Sequence, residues 1–501
     1  MQNLNKPSIT AYFRVLFFMV LAWSGTLTAA PWVDTSDVYL RADIQALADA
    51  GVITVPVNTY PLMWAGIGVD LAKAEPSLLT PALATAFARV NFYYRNAIQN
   101  RGNSRLKLVA ASDPARFQHF GSDYREQGQL TVSHEYTGSR FAYKLSASAN
   151  YDPIDEKEYR LDDSYLAMVL GNWVFTAGTL DQWWGPGFDT GLMKSTNARP
   201  MPSIMLSRNN AHGFETPWLS WIGPWTLTTG LSLFEQERYA PNTLLWNARG
   251  TLRPLQQLEI GFSWTMQFCG EGQECDASTF FKALTGQKDC RNDVGFGCTN
   301  FGNQMAGFDI RYSDTFWDIP LGLYLEKTCE DSSGPSPLDL ADCGYLWGMD
   351  SRFGDGEQQY KLFVEYTDTL RACGEDESAF NCFYEHSTYL SGSRYYDRAL
   401  GSTYDSDAQV YVLGMVVQFA NSQGLHAFLR YAQLNKDGLS PSNGWAPVTP
   451  KEDLLMLEMS YRMPIWQGML TFGGTVSNSE FEQTDSSDTN GTVFSSYEYK
   501  F

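Results

Sequence analysis

The chain has 501 residues, of which 18% are charged and 14% aromatic, and its formal net charge is −20 at pH 7. So acidic a protein is excluded from the nucleic-acid binders, whose phosphate contacts are carried largely by Lys and Arg. The low charged fraction suits apolar residues that alternate with polar ones, and large β-barrels reach this length as single domains.

The N-terminus reads as a secretory signal over residues 1–29. Lys6 and Arg14 supply the positive start, "VLFFMVLAWSGTL" the apolar core and "TAA" a small-residue cleavage site. About thirteen apolar residues are too few for a spanning helix. Removing this segment deletes two cations and no acid, moving the formal charge to about −22. No later stretch has the length of a transmembrane helix, so the exported chain is expected to be soluble or a β-barrel.

Residues 30–103 form an expected periplasmic helical region. "SDVYLRADIQALADAGVI" offers Ser36 or Asp37 as a cap and puts Leu40, Ile44 and Leu47 on one face. "TPALATAFARVNFYYRNAIQN" does the same with Leu83, Phe87, Val90, Tyr94 and Ile98. This spacing is that of packing rather than chemistry.

From residue 104 to 501 the period becomes two. In "RFAYKLSASANY" Phe141, Tyr143, Leu145, Ala147, Ala149 and Tyr151 face one way, with Lys144, Ser146, Ser148 and Asn150 on the other. "QLEIGFSWTMQF" repeats the pattern from Leu258 to Phe268. Segments of about ten residues with one lipid-compatible face and one polar face mark an outer-membrane barrel. Eighteen candidate strands follow, near 104–112, 126–137, 139–150, 159–170, 172–181, 203–209, 223–236, 242–252, 256–268, 304–313, 318–328, 343–353, 358–370, 407–419, 424–435, 452–463, 466–480 and 491–501. The fold class expected is therefore an all-β transmembrane barrel of about 18 antiparallel strands with a small N-terminal helical bundle.

Alternate connections are short (137–139, 171–172, 253–256, 354–356, 421–424) and long (182–202, 269–303, 329–342, 371–406, 436–451). Outer-membrane barrels have short periplasmic turns and long external loops. The terminal "YEYKF", with Tyr497, Tyr499 and Phe501 on one face, resembles the signal read by outer-membrane assembly machinery. Together these features point to the outer membrane of a Gram-negative bacterium. One segment resists: "HGFETPWLSWIGPW" (His212 to Trp225) is a long, tryptophan-rich connection on the side of the short turns, suited to the helices or to the membrane boundary.

The eight cysteines lie at 269, 275, 290, 298, 329, 343, 373 and 382, in or beside the long connections. Neighbours pair as Cys269–Cys275, Cys290–Cys298, Cys329–Cys343 and Cys373–Cys382, each closing a local loop, although spacing alone does not establish connectivity. The C-x-x-C spacing of a zinc site is missing, and neither metal nor cofactor is read.

"WWGPG" (Trp183 to Gly187), Arg199-Pro200, "FETPWLSWIGPW", "YLRADIQAL" (Tyr39 to Leu47), "QMAGFDIR" (Gln304 to Arg311) and the tyrosine-rich stretch from Tyr384 to Tyr411 resemble the Wzi family of capsule assembly proteins over nearly the whole mature chain. The resemblance implies an eighteen-stranded outer-membrane barrel over a periplasmic helical bundle. It also implies lectin-like capture of capsular or extracellular polysaccharide without catalysis. The chain departs from the family pattern in its cysteine-rich loops and at "LGSTYDSD" (Leu400 to Asp407).

Sugar faces stack on Trp and Tyr, while acids, amides and Arg satisfy the hydroxyls. The candidate polysaccharide-binding residues are Trp183, Trp184, Asp189 and Arg199 from one loop, and Tyr384, His386, Tyr389, Tyr395, Tyr396 and Asp397 from another. The alternative for the same aromatics is that they brace the loops over the pore. Two other functions compete with polysaccharide binding. A porin needs an open lumen, against which stand Lys144, Arg249 and the cysteine-pinned loops. A hydrolase needs a fixed carboxylate pair or an activated nucleophile. The loop acids Asp152, Asp155, Glu375, Asp376, Glu377, Asp405 and Asp407 have no partner set by sequence. His386 and Ser387, as neighbours on an extended segment, point apart, and no G-x-S-x-G elbow exists. Expected partners are polysaccharide, outer-membrane lipid and lipopolysaccharide, with export machinery at the helical region and the barrel as a monomer.

Overall fold

The computed structural model describes residues 32–99, 101–284, 302–317, 319–332, 340–371, 382–439 and 444–501. The expected signal sequence lies outside them, as do Cys290, Cys298 and Cys373, and with them two of the four cysteine pairings.

Among the described residues eighteen antiparallel strands close into a barrel. They begin β1 (Gly102–Ala111), β2 (Gly128–Thr137), β3 (Phe141–Tyr151), β4 (Tyr165–Leu170), β5 (Trp173–Thr179) and β6 (Pro202–Arg208). Next come β7 (Trp225–Leu233), β8 (Leu244–Leu255), β9 (Leu258–Phe268), β10 (Asn303–Phe316), β11 (Ile319–Ser332) and β12 (Leu340–Gly354). The last are β13 (Gln358–Asp368), β14 (Ala408–Phe419), β15 (Gly424–Leu434), β16 (Glu452–Ile465), β17 (Gly468–Phe481) and β18 (Ser486–Lys500). Strand β18 pairs with β1 from Phe494↔Ala111 to Lys500↔Arg105, which leaves no open edge.

The two-residue period sorts the wall as expected. Along β3 the odd positions from Phe141 to Tyr151 are exposed on the outside, and the even positions from Ala142 to Asn150 are buried in the lumen. Exposed rings crowd the short-turn end at Trp317, Trp466, Phe316 and Phe501, where an interfacial aromatic girdle belongs.

The departures from the expected boundaries are largest at three places. The strand expected over 159–170 breaks into a short Tyr159–Arg160 pairing and β4, because Asp163 takes a left-handed φ of 65° in an Asp-rich turn. The pairing of β11 with β12 runs on to Ser332↔Leu340, and Cys329 bonds Cys343 directly across the two strands rather than stapling a loose loop. Cys269–Cys275 does close a local loop after β9. Strand β18 starts five residues before its expected position because Ser486 to Asn490 continue the ladder opposite β17.

Helices α1 (Val38–Asp49), α2 (Trp64–Lys73) and α3 (Pro81–Ala97) occupy the short-turn end, and α4 (Ala277–Leu284) follows β9. Asp37 caps α1 by accepting from the N–H groups of Tyr39 and Leu40 at 2.9 and 3.0 Å. Thr80 and Pro81 start α3. Helix α1 is buried from Val38 to Ala48 between α3 and the barrel wall, so the small helical bundle is seated against the end of the barrel. Tyr39 reaches His426 of β15, and Asp49 pairs with Arg311 of β10 at 3.0 Å. Helix α3 packs across α1, with Arg89 on Asp43 at 2.6 Å, and touches the β12–β13 turn through Thr85 and the Gly356 carbonyl.

The lumen is filled from both ends. The connection after β5 dips inward, and Trp183–Trp184 pair as a two-residue strand with Thr59–Tyr60 from the helical region. Such inserted backbone carries N–H groups that must find acceptors away from water. Wall carboxylates supply them. Glu365 accepts from Phe188 and Asp189 at 2.6 and 3.0 Å, Glu326 from Leu192 and Met193 at 2.9 and 3.2 Å, and Glu259 from Val57 and Asn58 at 3.0 and 2.9 Å. Arg41 donates to the Pro186 carbonyl at 3.0 Å, with its guanidinium 4.1 Å from the Phe188 ring centroid and 4.3 Å from that of Phe120.

Trp183→Ala is expected to lower stability by about 3–5 kcal/mol, the usual cost of emptying a buried aromatic site. Heat-dependent loss of folded gel mobility in detergent measures this. A second expectation concerns Lys194, buried in the same insertion, whose pKa burial pushes down from 10.5 to about 7. The unfolded chain keeps the proton to higher pH than the folded one, so burial costs stability most below about pH 7 and nothing above about pH 10.5. Lys194→Met should therefore raise the unfolding midpoint, with a gain that shrinks as pH rises through that window.

Candidate functional site

The ten residues singled out in the sequence divide into three groups. Trp183, Trp184 and Asp189 lie buried inside the insertion, and Tyr384, from the connection between β13 and β14, is buried against it. The Trp183 Nε1 donates to the Gly187 carbonyl at 3.0 Å, closing the Gly-Pro-Gly corner on its own indole. Trp184 packs with Met193, Met305 and Phe383. Asp189 accepts from Arg430 at 2.8 Å and from the Tyr404 hydroxyl. Tyr384 donates to the Leu192 carbonyl at 2.6 Å and accepts from the Ser402 N–H at 2.7 Å. None of these rings offers a free face to a polymer, and their contacts are those of braces.

His386 and Tyr389 stand in a tight turn between β13 and β14. The His386 Nδ1 accepts from the N–H groups of Thr388 and Tyr389 at 3.1 and 3.2 Å, and Tyr389 donates to the Cys269 carbonyl at 3.0 Å. A ring nitrogen so engaged is not positioned as a base for Ser387.

The third group reaches the long-loop end of the barrel. Arg394–Tyr395 and Arg398–Ala399 form a miniature hairpin whose two-residue turn is Tyr396-Asp397, with φ of 47° and 60°. Positive φ at both turn positions matches a type I′ turn, which favours Gly and Asn and strains a bulky residue. The tyrosine is held there at the tip, half-buried beside the exposed Asp397, while Tyr395 is buried behind it with ring centroids 4.7 Å apart. Arg199 comes to the same place from the β5–β6 connection, its guanidinium 5.2 Å from the Tyr396 centroid. Asp162 fixes it with a two-point bond at 2.8 and 2.9 Å, and Asp155 adds a third contact. Burial alone would lower the Arg199 pKa, and these carboxylates more than offset it.

Sequence reasoning missed other parts of this surface. Lys157 lies 5.6 Å from the Tyr396 centroid and pairs with Glu237 at 2.7 Å. Tyr239 and Trp445, both exposed, meet edge to face at 5.5 Å although they come from the connections after β7 and β15. The assembled patch sets open aromatic faces among fixed cations and carboxylates, the groups that grip a hydroxylated ring. Separate from this patch, a cavity of about 370 Å³ opens between the β1–β2 connection and the long-loop halves of β16 to β18, lined by Asp113, Tyr124, Glu452 and Asp488 among others.

Comparison with known proteins agrees with this architecture. The outer-membrane protein Wzi of Escherichia coli, described as involved in group 1 capsule assembly and as a carbohydrate-binding β-barrel, superposes with a TM-score of 0.79 at 24% identity, covering 93% of this chain and 99% of that one. A protein of Klebsiella pneumoniae, described as an uncharacterized 55.8 kDa protein in the cps region, is 28% identical over 354 residues, which are 70% of this chain and 68% of that protein. The family described as capsule assembly protein Wzi matches residues 97–493, and the chain belongs to it.

Proposed function

We propose that this chain is an outer-membrane barrel that binds exported capsular polysaccharide at its outer mouth and holds it at the cell surface, without catalysis. One observation carries the reading: the lumen is closed by inserted, ion-paired segments, while the mouth presents the patch of Tyr396, Arg199, Lys157, Tyr239 and Trp445. A filled lumen argues for capture rather than passage, which sets the porin alternative aside. The Wzi fold, and the description of the Escherichia coli relative as carbohydrate-binding, support the same reading.

In this reading residues 1–29 are a signal sequence, residues 30–103 face the periplasm and residues 104–501 span and overhang the membrane as a monomer. The apolar wall meets lipid and lipopolysaccharide. The exposed flank of α3 is the face available to export machinery. Trp218 and Trp221, 73% and 68% exposed in the connection after β6, rest at the inner membrane boundary. Tyr396 and Asp397 contact the polymer, with Arg199 alongside. Trp183, Trp184, Asp189, Tyr384, His386, Tyr389 and Tyr395 support the surface from behind.

Tyr396→Ala and Trp445→Ala are each expected to weaken binding of purified capsular polysaccharide by roughly 3–10-fold, the scale of one lost aromatic contact. The unfolding midpoint should not move. Binding that survives both substitutions would locate the polymer elsewhere. In planar bilayers the intact protein should show no steady large conductance, and a stable open pore would favour the porin reading.

A further inference from the structure

Away from the Tyr396 patch, four side chains that no local motif links converge inside the barrel. His426 and Glu458 project inward from β15 and β16, where Phe428 is the partner of Glu458 and Ser460 that of His426. His119 and Asp123 descend from the β1–β2 connection. One ring nitrogen each from His119 and His426 and one oxygen of Glu458 lie within 4.8 Å of one another. The Asp123 Oδ2 is 3.5 Å from the His426 Nε2, too far for a hydrogen bond. That Nε2 is buried and has no hydrogen-bond partner, on a residue 1% exposed.

The outer contacts of these groups are those of metal ligands. The His119 Nδ1 lies 2.9 Å from the Phe120 carbonyl and must donate to it, which leaves Nε2 as the nitrogen 3.2 Å from the Glu458 Oε1. A neutral imidazole would there oppose lone pair to lone pair, so the contact requires a cation between them, either a proton or a metal ion. Glu458 is oriented by Arg430, which donates to its other oxygen at 2.6 Å, and Arg430 is itself balanced by Asp189 at 2.8 Å. Ser460 donates to the Asp123 Oδ2 at 2.5 Å, and the Tyr39 hydroxyl lies 3.4 Å from the His426 Nδ1. His119 and Glu458 are thus each held through the atom that would face away from the ion, the usual support of a metal site.

We propose that His119, His426, Glu458 and Asp123 bind one divalent transition-metal ion of the zinc class. Two imidazoles and two carboxylates suit zinc, whereas calcium and magnesium take oxygen ligands. The two carboxylates neutralise the ion, since Arg430 is already shared with Asp189. Bonds of about 2.0–2.2 Å place tetrahedral donors roughly 3.4 Å apart, so the ligands close in by about 1 Å on binding. The ion has a route: the 370 Å³ cavity is lined by both Asp123 and Glu458 and reaches Phe481 and Asp488 at the outer ends of β17 and β18. Once bound, it ties the β1–β2 connection to the barrel wall.

The test uses tag-free, full-length barrel in detergent, stripped with EDTA and reloaded with Zn²⁺ or Co²⁺ before desalting. The expected result is about one equivalent of retained metal, the intense visible absorption of tetrahedral Co²⁺, and a higher unfolding midpoint than the stripped protein. His426→Gln and Asp123→Asn should each weaken metal affinity tenfold or more. Both variants should melt near the stripped wild type when EDTA is present, which separates lost ligation from misfolding. His386→Ala, in an outer loop, should bind as the wild type does. Retention well below one equivalent, octahedral Co²⁺ spectra, or equal binding by wild type and both ligand variants would overturn the proposal.

Discussion

Backbone that enters a barrel lumen leaves water behind, and its amide groups must find partners on a wall built of side chains. Glu259, Glu326 and Glu365 meet that need from β9, β11 and β13, each accepting two main-chain N–H groups of an inserted segment. A buried hydrogen bond contributes about 0.5–1.5 kcal/mol net, and leaving a buried amide unpaired costs about 1–3 kcal/mol. The same carboxyl groups would be costly to bury without partners, so wall and insertion stabilise each other. Removing either one strands the other.

The remaining features of the lumen follow from that constraint. The insertion brings Trp183–Trp184 onto Thr59–Tyr60, which joins a connection from the outer side to the helical region at the opposite end. Arg41 of α1 then seats on the Pro186 carbonyl between Phe120 and Phe188, so the cap below and the loops above share one core. With the lumen occupied, chemistry moves to the mouth. There the loops between β3 and β4, β5 and β6, β7 and β8, and β13 and β14 rest on a rigid floor and hold Tyr396 in a strained turn at their summit.

Much of this was legible in the chain. The alternation of Phe141 to Tyr151 against Ala142 to Asn150 named the lipid and lumen faces of β3, because the side-chain period of a strand is fixed by its backbone. The short and long connections named the two ends. The Asp37 cap and the Leu40, Ile44, Leu47 stripe marked α1, but nothing local revealed that a helix with Arg41, Asp43 and Gln45 would be buried on every side. Of the candidate site, Arg199, Tyr396 and Asp397 were visible as types suited to sugars. Lys157, Tyr239 and Trp445 were not, since their meeting depends on loops from distant strands. The His119, His426, Glu458 and Asp123 cluster was equally hidden, because about 300 residues separate the pair on the β1–β2 connection from the pair on β15 and β16.

The pair Trp183–Trp184 marks the division most clearly. Sequence alone determined a membrane barrel, its two faces and a Gly-Pro-Gly corner beside two indoles, because each of these is written in short-range period or turn chemistry. Whether those indoles looked out to a polymer or in to the core depended on the fold. The loop could turn inward only because Glu326 and Glu365, more than 130 residues further along, supply acceptors at the depth its amides reach. Which residues face solvent at the mouth was thus decided by tertiary pairing, where desolvated amides and charges must be matched in space.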